Sequence, residues 1–225
     1  MDRVFFEKNK TRLSRISDCM LQTNQAYSVI MQLRQFQYDH NDLINISPAF
    51  YQCVLSCCIE VLFIEIHKMY DSSTTSDGIF GFINTLDNNI HLLDNTRSIL
   101  ANEMDDLFSH RADQRFYKNI ESLISESKKR ISECDSIIKN IKTQRDKFYA
   151  HQDVDIKNLD EFFNKNAVSL NDLKTLLLLN VNLFNAFYMY FYNSTLYPRA
   201  INGDDFNKTV YYLEKGANAE IMQND

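Results

Sequence analysis

The chain has 225 residues, a mass of 26.5 kDa, a net charge of -6 and a sequence pI of about 5.4. With 4 Gly and 2 Pro it lacks the turn residues that a sandwich, a barrel or a doubly wound fold would need. A hydrophobic fraction of 44% excludes disorder, and the acidic balance means that any nucleic acid must be bound by a local basic patch. The composition therefore predicts a soluble all-α protein.

The first part of the chain predicts two long helices. Apolar residues spaced by threes, fours and sevens predict a helix over residues 3–37. Ser47 and Pro48 supply an N-cap and a first-turn proline for a second helix over 48–70, which is apolar nearly all round and is expected to be central. A loop rich in Ser, Thr and Gly is expected over 71–81.

The later segments also have helical patterns. Short helical pieces that cross the bundle are expected over 82–110. Residues 112–149 repeat apolar positions at alternating fours and threes, which predicts one long helix with a heptad register. Ser169 and Asp172 form a capping box that opens a last main helix over 170–194.

These elements predict an antiparallel four-helix bundle. We assign residues 1–197 to one helical domain, with 82–110 as a crossing insertion. A short amphipathic helix is expected within NLDEFFNKNAV, before the last main helix. Residues 198–225 are expected to form a C-terminal helical appendage, with its helix over 202–216.

An uncharged stretch from Thr175 to Pro198 has about the length that spans a bilayer. Its asparagines Asn182, Asn185 and Asn193 fall within an arc of about 80° on a helix, so the segment has one polar line. No basic cluster flanks either end. The pattern favours a buried bundle or dimer-interface helix over a membrane helix.

The cysteines and the N-terminus indicate the compartment. The 5 Cys are an odd number without a CxxC pair, which is typical of reduced thiols, and Cys57 and Cys58 are expected in the core. The N-terminus has no apolar stretch of the kind found in secretion signals. We therefore expect a cytoplasmic protein with no membrane partner.

Arg145 is an anomaly in the heptad seam, because that position should be apolar and an unpaired buried guanidinium is costly. One explanation is an ion pair with the second helix, where Glu60, His67 and Asp71 share a face. The other is a cleft in which Arg145 meets a ligand anion. Those three residues on one helix are more typical of a polar stripe than of a metal site, so neither a metal nor a cofactor is expected.

Positive charge is concentrated before the end of the long predicted helix. From Lys128 to His151 there are seven basic residues and three acidic ones. This balance predicts a track for phosphates. The alternative is a solvated helix face whose cations interact with the C-terminal dipole.

The segment TQRDKFYAHQD contains Arg145 and His151 with five residues between them, and this resembles the signature of the HEPN superfamily. The polar Asp146 after the arginine also fits. RDKFYAHQD, the KMYD that ends the preceding helix and the downstream FNKNAVSLNDLKTLL resemble the AbiU-like branch associated with phage abortive infection. The resemblance covers most of residues 1–195.

The resemblance implies a dimeric bundle that cuts RNA without a metal, in a cleft lined by motif residues of both protomers. Arg145 would hold the phosphate and His151 would transfer a proton, so these two are the predicted catalytic residues. Lys147 and Lys142 are the predicted substrate-binding cations. Three acidic residues are predicted to support the site: Asp146 beside Arg145, Asp153 beside His151, and Asp71.

Helix geometry constrains this site. Residues six apart on a regular helix point about 120° apart and lie about 9 Å apart along the axis. Either the helix ends or bends near Tyr149, or the partner protomer completes the site.

The predicted function is a metal-independent HEPN endoribonuclease, acting on RNA as a homodimeric defence effector or toxin with an antitoxin or another defence-system partner. One alternative is a catalytically inactive HEPN module for RNA binding or assembly. Another is a structural bundle in which Arg145 is paired internally. Asp153 stands where HEPN toxins that are neutralised by a nucleotidyltransferase carry a tyrosine, so that control is not expected.

Overall fold

The computed structural model describes residues 2–39, 44–45, 47–107, 112–149 and 156–196, together with 208, 209, 211, 212 and 215. This part of the chain is mostly helical, as the composition predicts. The expected C-terminal helix over 202–216 lies largely outside the described residues, so the proposed boundary at residue 197 stays a prediction.

The two long helices of the first part are confirmed. Helix α1 spans Arg3–Asp39 and helix α2 spans Pro48–Met69, and the two pack along each other. The apolar positions of α1 that defined its period point into the core: Leu13, Ile16, Met20, Tyr27 and Ile30. The end of α2 is tied to the opposite side of the bundle, because the Tyr70 hydroxyl donates to the carbonyl of Leu176 at 2.7 Å.

Helix α2 is not central along its whole length. Its buried residues are confined to the C-terminal part: Leu62, Phe63, Ile66 and Met69. Nearer the N-terminus, Phe50 is 63% exposed and Val61 is 40% exposed. The expectation of a central helix therefore holds only for the C-terminal part of α2, because α1 and the rest of the bundle cover only one side of the part before it. Cys57 is also exposed and Cys58 is half-buried, so the expected pair of core thiols is not found.

One helix among the described residues, Pro48–Met69, is long and apolar enough to cross a membrane by length and composition, and 17% of its most apolar window is buried. In the uncharged stretch in which the sequence raised this question, residues 175–192 lie in the last helix, Leu170–Tyr192, most of which is buried in the bundle.

The region over 82–110 contains a strand as well as helical pieces. Helix α3 spans Ile79–Asn88 and a 3-10 turn follows at Ile90–Leu92. Strand β1, Ile99–Met104, then pairs antiparallel with strand β2, Ala112–Tyr117. The prediction of helical pieces throughout is wrong here, because β1 buries one side against the bundle and satisfies its backbone through β2.

The predicted single helix over 112–149 is divided into several elements. After β2, an Asn119 capping box with Ser122 starts helix α4, Ile120–Glu133. The chain bends at Cys134, and helix α5, Asp135–Gln144, follows. Residues Arg145–Tyr149 then form a π-helical turn. The heptad positions on α4 and α5 include buried residues, namely Ile120, Leu123, Ile131 and Ile141, but Phe116 on β2 is 66% exposed, so the pattern follows the core only from α4 onward.

The last elements agree with prediction. The short helix α6 spans Leu159–Lys165, and the capping box of Ser169 and Asp172 opens helix α7, Leu170–Tyr192. Helix α7 packs against α1 and β1, and most of its length is buried. Its Asn182 accepts from the Met104 backbone nitrogen at 2.7 Å and donates to the Met104 carbonyl at 3.0 Å. The polar line of α7 therefore includes a side chain that satisfies the end of β1.

Candidate active site

The motif segment leaves α-helical geometry at Arg145. Helix α5 ends at Gln144, and Arg145–Tyr149 continues with i→i+5 hydrogen bonding. Such single π turns occur frequently at functional sites. The expected change of geometry before Tyr149 is therefore present, whereas His151 and Asp153 lie outside the described residues and their predicted roles stay predictions.

Arg145 lies at the rim of the core rather than within it. The inward position beside it belongs to Gln144, which is 4% exposed and donates from Nε2 to the Asn166 carbonyl at 2.5 Å. The Arg145 side chain is 31% exposed. The predicted register still holds at Ile141, which is 1% exposed, so the departure comes after it: the next buried position is Gln144 rather than Arg145.

The guanidinium is paired within the motif. Arg145 Nη1 donates to Asp146 Oδ1 at 2.7 Å, and Lys142 Nζ lies 3.5 Å from Asp146 Oδ2. Partial burial raises the pKa of Asp146, but the hydrogen bond from Arg145 and the charge of Lys142 outweigh it and leave that pKa lowered. Asp146 therefore stays ionised and holds one side of the guanidinium.

The guanidinium is not paired with an acid of α2. Among the ion pairs of the described residues, Arg145 has Asp146 as its partner and neither Glu60 nor Asp71. Arg145 Nε is buried and has no acceptor within the described part of the chain. The first explanation from the sequence, an ion pair with the second helix, is therefore wrong, and a donor remains for a further acceptor.

Helix α2 packs against the motif segment in the opposite direction. The rings of Phe63 and Tyr149 have centroids 4.7 Å apart. His67, one turn further along α2, lies within electrostatic range of Arg145, one turn before Tyr149. Partial burial lowers the pKa of His67, and the positive charge of Arg145 lowers it further.

Asp71 follows α2 and is also near this imidazole. Its carboxylate accepts the Ser73 backbone N–H at 3.0 Å and interacts electrostatically with His67. The charge of Asp71 opposes the effect of burial on the His67 pKa. Within the described ranges, no group of three or more His, Cys, Asp or Glu side chains is arranged to hold a metal ion.

The predicted phosphate track is shorter than its composition indicated. Ion pairs engage five of its seven cations: Lys128 with Asp87, Arg130 with Glu103, Lys139 with Asp135, and both Lys142 and Arg145 with Asp146. Most of its positive charge is therefore paired within the fold, and the role of this segment as a phosphate track stays a prediction. The two cations of the track without an ion pair among the described residues are Lys129 and Lys147.

Lys147 lines a cleft between the motif segment and α6. The cleft has a volume of about 360 Å³, and its cations are Lys147, Lys157 and Lys165. None of these three takes part in an ion pair among the described residues, and Glu161 is the acid in the same lining. The sequence analysis missed Lys157 and Lys165. Both lie too far from the motif along the chain for the sequence to connect them with it. They join Lys147 in one cleft only because α6 folds back against Thr143 and Lys147.

The helical bundle and the arginine motif at its π turn define a HEPN-type domain. A family model described as AbiU2 matches residues 7–212, nearly the whole chain, so the chain belongs to the AbiU2 family of the HEPN superfamily. It is therefore an abortive-infection-related HEPN domain. No curated protein and no solved structure shows a significant match to it.

Proposed function

We propose that this protein is a metal-independent endoribonuclease that acts in abortive infection as a defence effector or toxin. The observation that carries the proposal is the state of Arg145: Asp146 holds one side of the guanidinium, while Nε is buried without an acceptor among the described residues. A phosphate oxygen is a matching acceptor, because guanidinium groups bind phosphates through paired donors.

The chemistry of RNA cleavage needs proton transfer as well as charge stabilisation. An imidazole at His151 would move a proton to or from a ribose oxygen, which contributes typically ~10² to 10⁴ in rate. Arg145 would stabilise the charge that develops on the phosphate oxygens. Lys147 lies one helical turn after Thr143, on the side of the motif segment that faces α6, and the cleft there would place further positive charge beside the RNA backbone.

The proposed assembly is a homodimer formed through the exposed half of α2. The exposed part of α2, from Pro48 to Val61, is about 20 Å long, which is less than the thickness of a bilayer hydrocarbon core, about 30 Å. The remainder of α2 is packed in the bundle. An apolar helix face of this kind needs a cover, and a second copy supplies an equally apolar one. Glu60 at the end of this face interacts with Tyr149, so the proposed interface adjoins the motif.

The proposed setting is the cytoplasm, where the 5 cysteines would remain reduced, as they are in the structure. A nuclease directed at the RNA of its own cell requires control. We therefore include an antitoxin or another defence-system partner in the proposal.

The test is incubation of the purified protein with total RNA in EDTA. We expect cleavage to continue in EDTA and to leave 2′,3′-cyclic phosphate and 5′-hydroxyl ends, because an internal 2′-oxygen is the nucleophile. End analysis by resistance to 5′ ligation and by periodate chemistry checks this result. RNA binding without cleavage would instead identify the inactive RNA-binding or assembly module, for which the lysine cleft alone is sufficient.

The lysine cleft provides a separate prediction about affinity. Replacement of Lys147, Lys157 and Lys165 by Gln should weaken RNA binding uniformly across sequences. If each lysine meets one phosphate, the slope of log K against log salt should decrease by about 2, since single strands lose about 0.7 for each contact. Fluorescence anisotropy with a labelled single-stranded RNA at several salt concentrations measures the slope.

The matched control is the triple substitution of Arg3, Lys8 and Lys118 by Gln. All three are exposed cations outside the cleft, outside the predicted phosphate track and outside the ion pairs of the described residues. An equal change of slope in this control would show that the effect is general positive charge and would contradict an RNA site in the cleft.

A further inference from the structure

The motif segment presents its side chains to two different neighbours. Arg145 and Tyr149 face α2, as the Phe63 contact shows, while Thr143 and Lys147 face α6 across the cleft. The side of the motif segment that carries Arg145 is therefore the side that packs against α2.

The described imidazole on the arginine's side of the segment is His67. Helix α2 runs antiparallel to the motif segment: the Phe63 ring contacts the Tyr149 ring, and His67, one turn later on α2, interacts electrostatically with Arg145, one turn before Tyr149. The same imidazole also lies within range of Lys142 and Asp146, and Asp71 approaches it from the loop after α2. His67 thus lies within one electrostatic cluster with the guanidinium that would bind the phosphate.

The environment of His67 favours the neutral imidazole. Partial burial disfavours its charged form, Arg145 and Lys142 act in the same direction, and Asp146 and Asp71 oppose them, with a lowered pKa as the net result. The sequence placed His67 on a polar stripe with Glu60 and Asp71. In the structure Glu60 is exposed and interacts with Tyr149, and it is not among the charged groups that act on His67.

We propose that His67 is a second catalytic residue, the general base that takes the proton of the attacking ribose 2′-hydroxyl while Arg145 holds the phosphate. This proposal rests on the proposed ribonuclease function. It separates the two proton transfers between two imidazoles, with His67 as the base and His151 as the acid.

The reaction then balances without a co-reactant. The 2′-hydroxyl proton moves to the His67 imidazole, the 2′-oxygen bonds to the adjacent phosphorus, and the bond from phosphorus to the 5′-oxygen breaks. The departing 5′-oxygen takes a proton from protonated His151. The products are a 2′,3′-cyclic phosphate and a 5′-hydroxyl, and Arg145 stabilises the negative charge on the phosphate oxygens throughout.

The experiment compares the wild type with His67→Gln in the full chain, with His91→Gln as the matched control. His91 is an exposed histidine on the Ile90–Leu92 turn, outside the cluster. We expect kcat/KM to fall by ~10² in His67→Gln and to be unchanged in His91→Gln. We also expect RNA affinity and the thermal unfolding midpoint of His67→Gln to stay close to wild type, because glutamine preserves volume and polarity.

The pH profile distinguishes a base from a structural residue. In the wild type, kcat/KM should rise with pH through a value below the usual histidine range, and the His67 imidazole proton resonance should titrate at the same value. That acid limb should disappear or move in His67→Gln. If His67→Gln does not fold, His67→Asn takes its place in the same comparison.

Cleavage by His67→Gln with unchanged kcat/KM and an unchanged acid limb would overturn the role of His67 and leave the proposed function intact. An absence of cleavage by the wild type would overturn the proposed function, and the role of His67 with it. A loss of rate with an unmoved acid limb would assign His67 to structure and would also overturn its role as the base.

Discussion

Replacement of His151 by alanine should reduce RNA cleavage by ~10² to 10⁴ while leaving RNA binding nearly intact. The imidazole would contribute a proton transfer that matters in the transition state, whereas binding depends on Arg145 and on the lysine cleft. Single-turnover cleavage of a labelled RNA and anisotropy on the same RNA measure the two quantities separately. Arg145→Ala should reduce both, because the guanidinium would meet the phosphate in the bound RNA and in the transition state.

His91→Ala is the control for His151→Ala, since it removes an exposed imidazole outside the site. Unimpaired cleavage by His151→Ala would refute the assignment of that residue. If Arg145→Ala strongly lowers the free energy of unfolding and the wild-type protein has no RNA affinity, the arginine serves a purely structural bundle.

Val61→Asp, combined with Phe50→Asp, should convert the protein into a monomer and reduce cleavage severely. Both side chains are exposed on the bare half of α2, at 40% and 63%, so a charge there should not disturb the core of one protomer. In a dimer, the same charges would be buried against an apolar partner without a counter-ion, which is strongly unfavourable. Sedimentation velocity measures the association, and the EDTA cleavage assay measures the activity.

Val4→Asp is the control for this dimer prediction, because Val4 is an exposed valine on α1 with 81% of its surface accessible.

Mixing Arg145→Ala with His151→Ala chains gives a sharper result. If the site combines Arg145 of one protomer with His151 of the other, mixed dimers contain one intact pair and recover part of the activity. A monomeric variant with full nuclease activity would refute the shared site.

The pattern of apolar residues and caps predicted those elements whose stability depends on local signals. The period of α1, the proline at Pro48 and the capping box of Ser169 with Asp172 each identify a helix without knowledge of its neighbours. The strand at Ile99–Met104 has no comparable local signal. It becomes a strand because β2 satisfies its backbone and Asn182 closes its end.

The register of the long predicted helix failed for a related reason. A heptad repeat records which side chains are apolar, but not where α-helical geometry ends. Ile141 keeps its predicted buried place, whereas α5 ends at the buried Gln144 and Arg145 opens the π turn at the rim. The position of the arginine therefore depends on a change of helix geometry that the apolar pattern does not encode.

The amino-acid sequence by itself determined the helical class, the family motif around Arg145 and the apolar character of α2, because these depend on residue type and spacing along one chain. Only the tertiary structure decided the pairing of Arg145 with Asp146, the approach of His67 from α2, and the cleft that joins Lys147 to Lys157 and Lys165. Those contacts join residues far apart in the chain or depend on side-chain direction, and both are set by the packing of whole helices against one another.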